Sequence, residues 1–215
     1  MIAAGSVSFP PPLRGRGAYA RRSARVGGRR LRHLTRAAPV LGALAVLASG
    51  VALAQSEVPE PEGYRMDRFR APVPATLKGA TVVSTKEVEA LAGTAILVDV
   101  LPRPPKPQGL KEGTIWRPRP RSNIPGSVWL PNTGLGVLPI SVEAYFRDSL
   151  ARLTAGDRAR KLVFYCLADC WMSWNAAKRA LTYGYSQVYW YPEGTDAWSA
   201  AGLPLAPSEP EPGGE

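Results

Sequence analysis

Lys161-Leu162-Val163-Phe164-Tyr165-Cys166-Leu167-Ala168-Asp169-Cys170-Trp171 is an apolar run ending in a cysteine, a short loop, and a second cysteine. A β-rich run that delivers a cysteine into a loop of about five residues, with a helix-forming segment behind it, is how α/β folds aim a thiol at backbone N–H groups. That geometry suits sulfur or redox chemistry. Cys166 and Cys170 are the only cysteines in the chain.

Outward from this junction, strand and helix patterns alternate. Thr81-Val82-Val83 precedes Ser84 and Glu87, which have the spacing of a capping box for a helix running to about Leu91. Ala95 to Val100 is apolar except for Asp99, as in a parallel strand buried on both faces. Ser127 to Leu130 reads as a third strand, and Ser141 to Leu153 as a second helix with apolar positions Val142, Tyr145, Phe146 and Leu150. Lys161 to Tyr165 is the fourth strand, Trp171 to Tyr183 a helix ended by Gly184, and Gln187 to Tyr191 the fifth strand. Thr195 to Ala201 is a closing helical turn stopped by Gly202 and Pro204. This order predicts an α/β fold, one domain over residues 79–205, with an about five-stranded parallel sheet and helices on both faces.

The N-terminal flank has a different character. Nine arginines lie between Arg14 and Arg36, no acidic residue precedes Glu57, and the uncharged stretch Ala37 to Ala54 ends in Ala52-Leu53-Ala54, the small-x-small pattern of a signal peptidase site. Its 18 residues are rich in Ala and Gly and fall short of the ~20 apolar residues that span a bilayer. Residues 1–54 are therefore expected to be a signal peptide cleaved after Ala54, with a periplasmic product and no stable membrane anchor. Arg21-Arg22 and Arg29-Arg30 leave the Sec and twin-arginine routes both open.

Removing the leader changes the electrostatics. It holds nine of the 27 Lys and Arg and none of the 17 Asp and Glu, so a charge of +10 becomes +1. The excess is a targeting charge, not a nucleic-acid footprint. His33, the single histidine, lies in the leader, so residues 55–215 cannot build a Ser-His-Asp, Cys-His or multi-histidine zinc site. An oxidising compartment favours a bond between two cysteines this close.

Residues 55–78, interrupted by Pro59, Pro61, Pro72 and Pro74, read as a linker or wrapping arm. Residues 206–215 read as a disordered tail, because Pro207 to Glu215 has no large apolar residue to anchor it. Residues 101–122 form an insertion with six cations, six prolines and the single acid Glu112. In a parallel sheet the loop after the Asp99 strand leaves from the same edge as Cys166, so a basic flap is expected beside the thiol.

Four motifs on this framework resemble the rhodanese-like superfamily over roughly Thr81 to Leu205. They are Leu97-Val98-Asp99-Val100 near the end of the second strand; Asn123-Ile124-Pro125-Gly126-Ser127-Val128, with Asn where the family usually has His; Cys166 at the catalytic position; and Glu193-Gly194-Thr195-Asp196-Ala197-Trp198 followed by Ala201-Gly202-Leu203-Pro204. Cys166 through Arg179, with Tyr189 to Gly194, further resembles exported rhodanese-like proteins of PQQ-dependent alcohol catabolism, named for a Cys-x-x-Cys-Trp motif; here three residues separate the cysteines. The resemblance implies a reactive Cys166 partnered by Cys170, a sulfane-sulfur donor or acceptor thiol as partner, and service to an exported PQQ-dependent dehydrogenase or cytochrome c system. No residue identifies PQQ as a ligand, and no cofactor or metal is assigned.

The active loop departs from the family pattern, since Leu167, Ala168, Asp169 and Trp171 bring no cation. A carboxylate about 6 Å from a thiolate costs on the order of 2–3 kcal/mol at an effective dielectric of about 20. A helix N-terminus returns only ~0.3–2 kcal/mol. Asp169 therefore has to point away or pair with the flap, and Arg103 and Arg117 are the candidate partners. Asp99 reads as a carboxylate that satisfies loop N–H groups, and Trp171 with Trp174 as a pocket wall. A structural disulfide is the plain alternative, although closing so small a ring is worth only about 2 kcal/mol. Three functional readings stay open: sulfur transfer through a Cys166 persulfide discharged by Cys170, thiol-disulfide exchange with a partner, and Cu(I) held by both thiolates and Met172. All three place a reactive sulfur at the open rim of an amide-lined cup.

Overall fold

The computed structural model describes residues 58–213, and the expected leader and its cleavage site lie outside them. Strand β1 is Thr81–Val82, helix α1 Thr85–Leu91, β2 Ile96–Asp99, β3 Arg121–Asn123, β4 Val128–Trp129 and α2 Ile140–Leu153. They are followed by β5 Leu162–Tyr165, α3 Trp171–Thr182, β6 Val188–Tyr191, α4 Gly194–Ala200 and β7 Ala206–Ser208. Five strands make one parallel sheet in the order β1-β6-β5-β2-β4, as the alternating pattern predicts. The capping box at Ser84 and Glu87 is present, with both reciprocal bonds.

Alternation along the strands divides the core. Val98, Leu162, Phe164, Val188 and Trp190 face the side covered by α2 and α3, packing with Phe146, Leu150, Trp174 and Ala177. Leu97, Val163, Tyr165 and Tyr191 face the other side, where Val88 of α1 and Trp198 of α4 meet them. A period of two along strands buried on both faces explains why these runs carry almost no polar residue. Asp99 is the exception at the end of β2. The chain passes from β2 to β4 on one side and then to β5 on the other, so the crevice between β2 and β5 at their C-terminal ends is the switch point of the sheet, where open α/β folds place their sites.

The segments outside this alternation are built in. Residues 58–78 lie along α3 as a strap, which is why nine residues of that helix are buried on all its sides. Asn175 exchanges hydrogen bonds with Arg65, whose N–H donates to Oδ1 at 2.9 Å and whose carbonyl accepts from Nδ2 at 2.8 Å. Lys178 donates to the carbonyls of Pro61, Glu62 and Gly63. Leu77, at the end of the strap, is buried in the core.

The tail read as disordered is instead ordered through residue 213. Strand β7 pairs antiparallel with β3 in a second, two-stranded sheet, Pro210 bridges to Trp129, and Arg152 pairs with Glu211 at 2.6 Å. Backbone hydrogen bonds and one ion pair do the anchoring that large apolar side chains would otherwise do. Tyr145 donates to the Glu211 carbonyl, and burial together with the Glu211 carboxylate pushes its phenol up to about 12. The basic insertion, residues 101–122, has no regular structure before Arg121 begins β3.

Candidate active site

Strand β5 ends at Tyr165, and the next residue, Cys166, begins the loop that α3 closes with Cys170 as its N-cap. Val100 donates its backbone N–H to the Tyr165 carbonyl at 3.0 Å, so Cys166 stands at the switch-point crevice. Cys166 and Cys170 are joined by a disulfide, with their Cα atoms 6.1 Å apart. Both sulfurs are shut away, since Cys166 has no exposed surface and Cys170 only 2 %. The two share an apolar cluster with Val100, Leu130, Phe164, Trp171, Met172 and Trp190. This corrects the expectation of a thiol offered at an open rim.

Two segments close over the loop. On one side the strap runs antiparallel to it: the Ala71 N–H donates to the Asp169 carbonyl at 3.1 Å and the Trp171 N–H to the Phe69 carbonyl at 2.9 Å. On the other side lies the start of α4. Gly194 has φ +54°, and a Cβ there would stand 2.6 Å from the Cys166 carbonyl oxygen, so only glycine fits. Thr195 then donates its N–H to that same carbonyl at 3.1 Å. Asp196 accepts from the Ala168 N–H at 3.1 Å and pairs with Arg70 of the strap at 3.6 Å. The two covers are thus latched to each other across the cysteine loop.

The loop residues predicted from sequence are together here, with altered roles. Asp169 sits exposed at φ +50° and makes no ion pair among the described residues, so it is turned away from the sulfurs. Arg103 and Arg117 do not reach it; they line cavities formed by the insertion. Trp171 and Trp174 do not wall a pocket that opens onto the cysteines; Trp171 instead lines a cavity against the strap, with Tyr64 and Arg65. The rings of Trp171 and Trp174 meet edge to face, 5.5 Å apart, and their indole N–H groups donate to Pro72 and Thr76 of the strap. A buried indole needs an acceptor for its N–H, and the strap carbonyls supply it.

Asp99 has the structural role expected of it and a partner that sequence reasoning missed. Its Oδ1 accepts from the Leu101 N–H at 2.9 Å, and its Oδ2 from Arg121 Nε at 2.6 Å. Burial pushes the Asp99 carboxyl up, against the opposing pull of Arg121. Next to it, Tyr165 accepts from the Ile124 N–H and donates to Ser127, pinning the turn before β4 to the strand that carries Cys166. Burial pushes that phenol up as well. Arg70, Asp196 and Arg121 were not singled out from the sequence. The available signals were weak: one arginine of six cations in the insertion, and an aspartate inside the Glu193–Trp198 motif.

Residues 84–201 match the rhodanese-like domain family. Among solved structures, the polysulfide-sulfur transferase homodimer of Wolinella succinogenes is 18 % identical, with 60 % of this chain and 79 % of that one covered and a TM-score of 0.37. A thiosulfate sulfurtransferase from Pseudomonas aeruginosa is 19 % identical, covering 62 % of this chain and 21 % of its own, with a TM-score of 0.41. An uncharacterized Saccharomyces cerevisiae protein is 23 % identical, covering 57 % and 93 %, with a TM-score of 0.36. No curated protein matches this chain.

Proposed function

This chain belongs to the rhodanese-like domain family, and from that premise we propose that it carries sulfane sulfur on Cys166 and discharges it through Cys170. In the reduced protein the Cys166 thiolate attacks the donor's sulfane sulfur. The donor's bond to that sulfur breaks, the electron pair leaves with the donor, and Cys166 holds a persulfide. An acceptor thiolate takes the outer sulfur, or Cys170 attacks Cys166 Sγ, expels hydrosulfide and leaves the disulfide. An external dithiol then supplies two electrons and restores both thiols. The disulfide form is the discharged state on this reading, and its burial means that the strap has to lift before either sulfur reacts.

The observation that carries the proposal is the second cysteine, one loop away and bonded to the first, at the switch-point edge of the sheet. Intact-mass analysis of reduced protein treated with polysulfide or thiosulfate tests it. One added sulfur is expected on the Cys170→Ser variant, none on Cys166→Ser, and disulfide plus free sulfide from the unaltered protein. No added sulfur on Cys170→Ser with any donor ends the proposal.

The observed bond also favours thiol-disulfide exchange with a partner. In that case both single variants are inactive and neither takes up sulfur; a potential well below about −300 mV makes the bond structural and removes both readings. A periplasmic location and service to PQQ-dependent alcohol oxidation belong to the same proposal and rest on the leader composition and the cysteine-tryptophan motif.

A further inference from the structure

The strap meets the cysteine loop as one step of an antiparallel ladder. The Trp171 N–H donates to the Phe69 carbonyl at 2.9 Å and the Ala71 N–H to the Asp169 carbonyl at 3.1 Å, which sets Arg70 directly opposite Cys170. Because the two bonds flank this pair, it is the close, non-hydrogen-bonded kind, in which opposite Cα atoms lie about 4.5 Å apart with their side chains on one face. That spacing falls inside the roughly 4.4–6.8 Å over which two cysteines can be bridged. Phe69 and Ala71, on either side of Arg70, are half-buried against the cluster that holds both cysteines. Arg70 itself is exposed and reaches Asp196. Main-chain pairing is indifferent to most side chains, so a slot that takes the strap takes any segment offering a carbonyl and an N–H at the same two places.

We infer that the slot along Asp169–Trp171 receives an extended, cysteine-bearing segment of a partner protein, and that the strap is its resident stand-in. The inference rests on the cycling of the Cys166–Cys170 bond proposed above and names the class of its reductant, a polypeptide dithiol. A partner that displaces Phe69–Ala71 in the same register brings its cysteine to the Arg70 position, facing Cys170. Its thiolate attacks Cys170 Sγ, the Cys166–Cys170 bond breaks, and the electron pair leaves with Cys166 Sγ. The partner's second thiolate then attacks the partner's own sulfur in the mixed disulfide, and Cys170 leaves as a thiolate. The partner ends as a disulfide, its two electrons rest on Cys166 and Cys170, and the two protons of its thiols pass to them. Gly194 and Thr195 press on the Cys166 carbonyl from the other side, so the approach to the bond is from the strap side. The strap also sets the preference of the slot: an apolar residue before the cysteine, where Phe69 packs, and a small one after it, where Ala71 packs.

Peptides copying Met66–Val73 test this on the whole protein with its disulfide intact. One carries Arg70→Cys, a second the same change with an N-methyl group on Ala71, and a third Phe69→Cys with Arg70 kept. Samples are quenched at intervals with an alkylating reagent, intact mass follows the mixed disulfide, and peptide mapping locates it. Each rate is divided by that of the same peptide with glutathione disulfide, which removes differences in thiol reactivity. The first peptide should outpace the other two by at least about tenfold, because the N-methyl group removes the bond to Asp169 and a one-residue shift turns the thiol to the other face. Its adduct is expected on Cys170, with the alkyl group on Cys166. Asn175→Ala, which loosens the strap, is expected to speed the first peptide further and keep its lead. Equal rates for the three peptides, an adduct on Cys166, or no reaction in both the unaltered and the Asn175→Ala protein overturns the slot. Sulfur uptake by Cys170→Ser is read without any peptide, so its failure removes the sulfur step and leaves the slot standing.

Discussion

Arg121 and Asp99 hold the β2 end of the site together, and the pair is legible as chemistry only after folding buries it. Breaking a buried ion pair by removing one partner typically costs about 3–5 kcal/mol. Arg121→Met is therefore expected to lower the melting temperature strongly, with a pH dependence that identifies the cause. Burial raises the folded-state pKa of Asp99, so its stabilising contribution is complete below the ordinary aspartate range and is lost as pH rises through the folded value. Without Arg121 the folded value climbs further and the loss grows. Thermal melts of both proteins should show a deficit that grows from acid toward neutral pH and reaches about 3–5 kcal/mol; a pH-independent deficit excludes the ion pair as its source. The sequence placed Asp99 at the strand end but could not select Arg121 from six similar cations, because burial is decided by the tail strand that pairs with β3. Cys166 and Cys170 were legible from spacing and motif. Their burial was not, since it depends on segments far away in sequence.

At the scale of elements, the strap and α3 behave as one unit. Asn175 joins them through two hydrogen bonds to Arg65 and makes a third to the Gly134 carbonyl, ahead of α2, at 2.9 Å. At about 1 kcal/mol for each bond, Asn175→Ala should cost about 2–3 kcal/mol and lower the melting temperature by about 5–10 °C. The same change should free the backbone around Arg65, Arg68 and Arg70 to enter the trypsin site, and cleavage there should accelerate more than tenfold under native conditions. A lowered melting temperature without faster cleavage shows that Asn175 supports the core and does not hold the strap. The helices and sheet strands were legible because apolar periodicity and capping residues are local. The β3-β7 pair was not, since Arg-Ser-Asn and Ala-Pro-Ser have no alternation and their bonds join residues more than 80 positions apart. The strap left one trace in the sequence: a helix carrying two tryptophans, an asparagine and a lysine beyond its core face needs a cover that supplies carbonyls.

For the whole molecule, the sheet edge, the strap and α4 together decide when the disulfide can meet a reagent. Cys166 has no exposed surface, so reduction has to follow an opening motion. The Arg70-Asp196 pair ties the strap to α4 at 3.6 Å, with the two side chains 55 % and 48 % exposed. An ion pair this exposed is worth about 0.2–1 kcal/mol, so releasing it should speed opening by no more than about fivefold. Reduction by dithiothreitol, followed by trapping the thiols, separates two roles for this pair. If it is a latch, Arg70→Ala and Asp196→Asn both accelerate reduction, the double variant is no faster than the faster single, and added salt speeds only the unaltered protein. If Arg70 instead attracts the incoming thiolate, Arg70→Ala slows reduction while Asp196→Asn speeds it. Opposite signs in the two single variants, or rates that multiply in the double, would remove the latch role from this pair and place the control of access at the backbone and indole bonds of Phe69–Pro72.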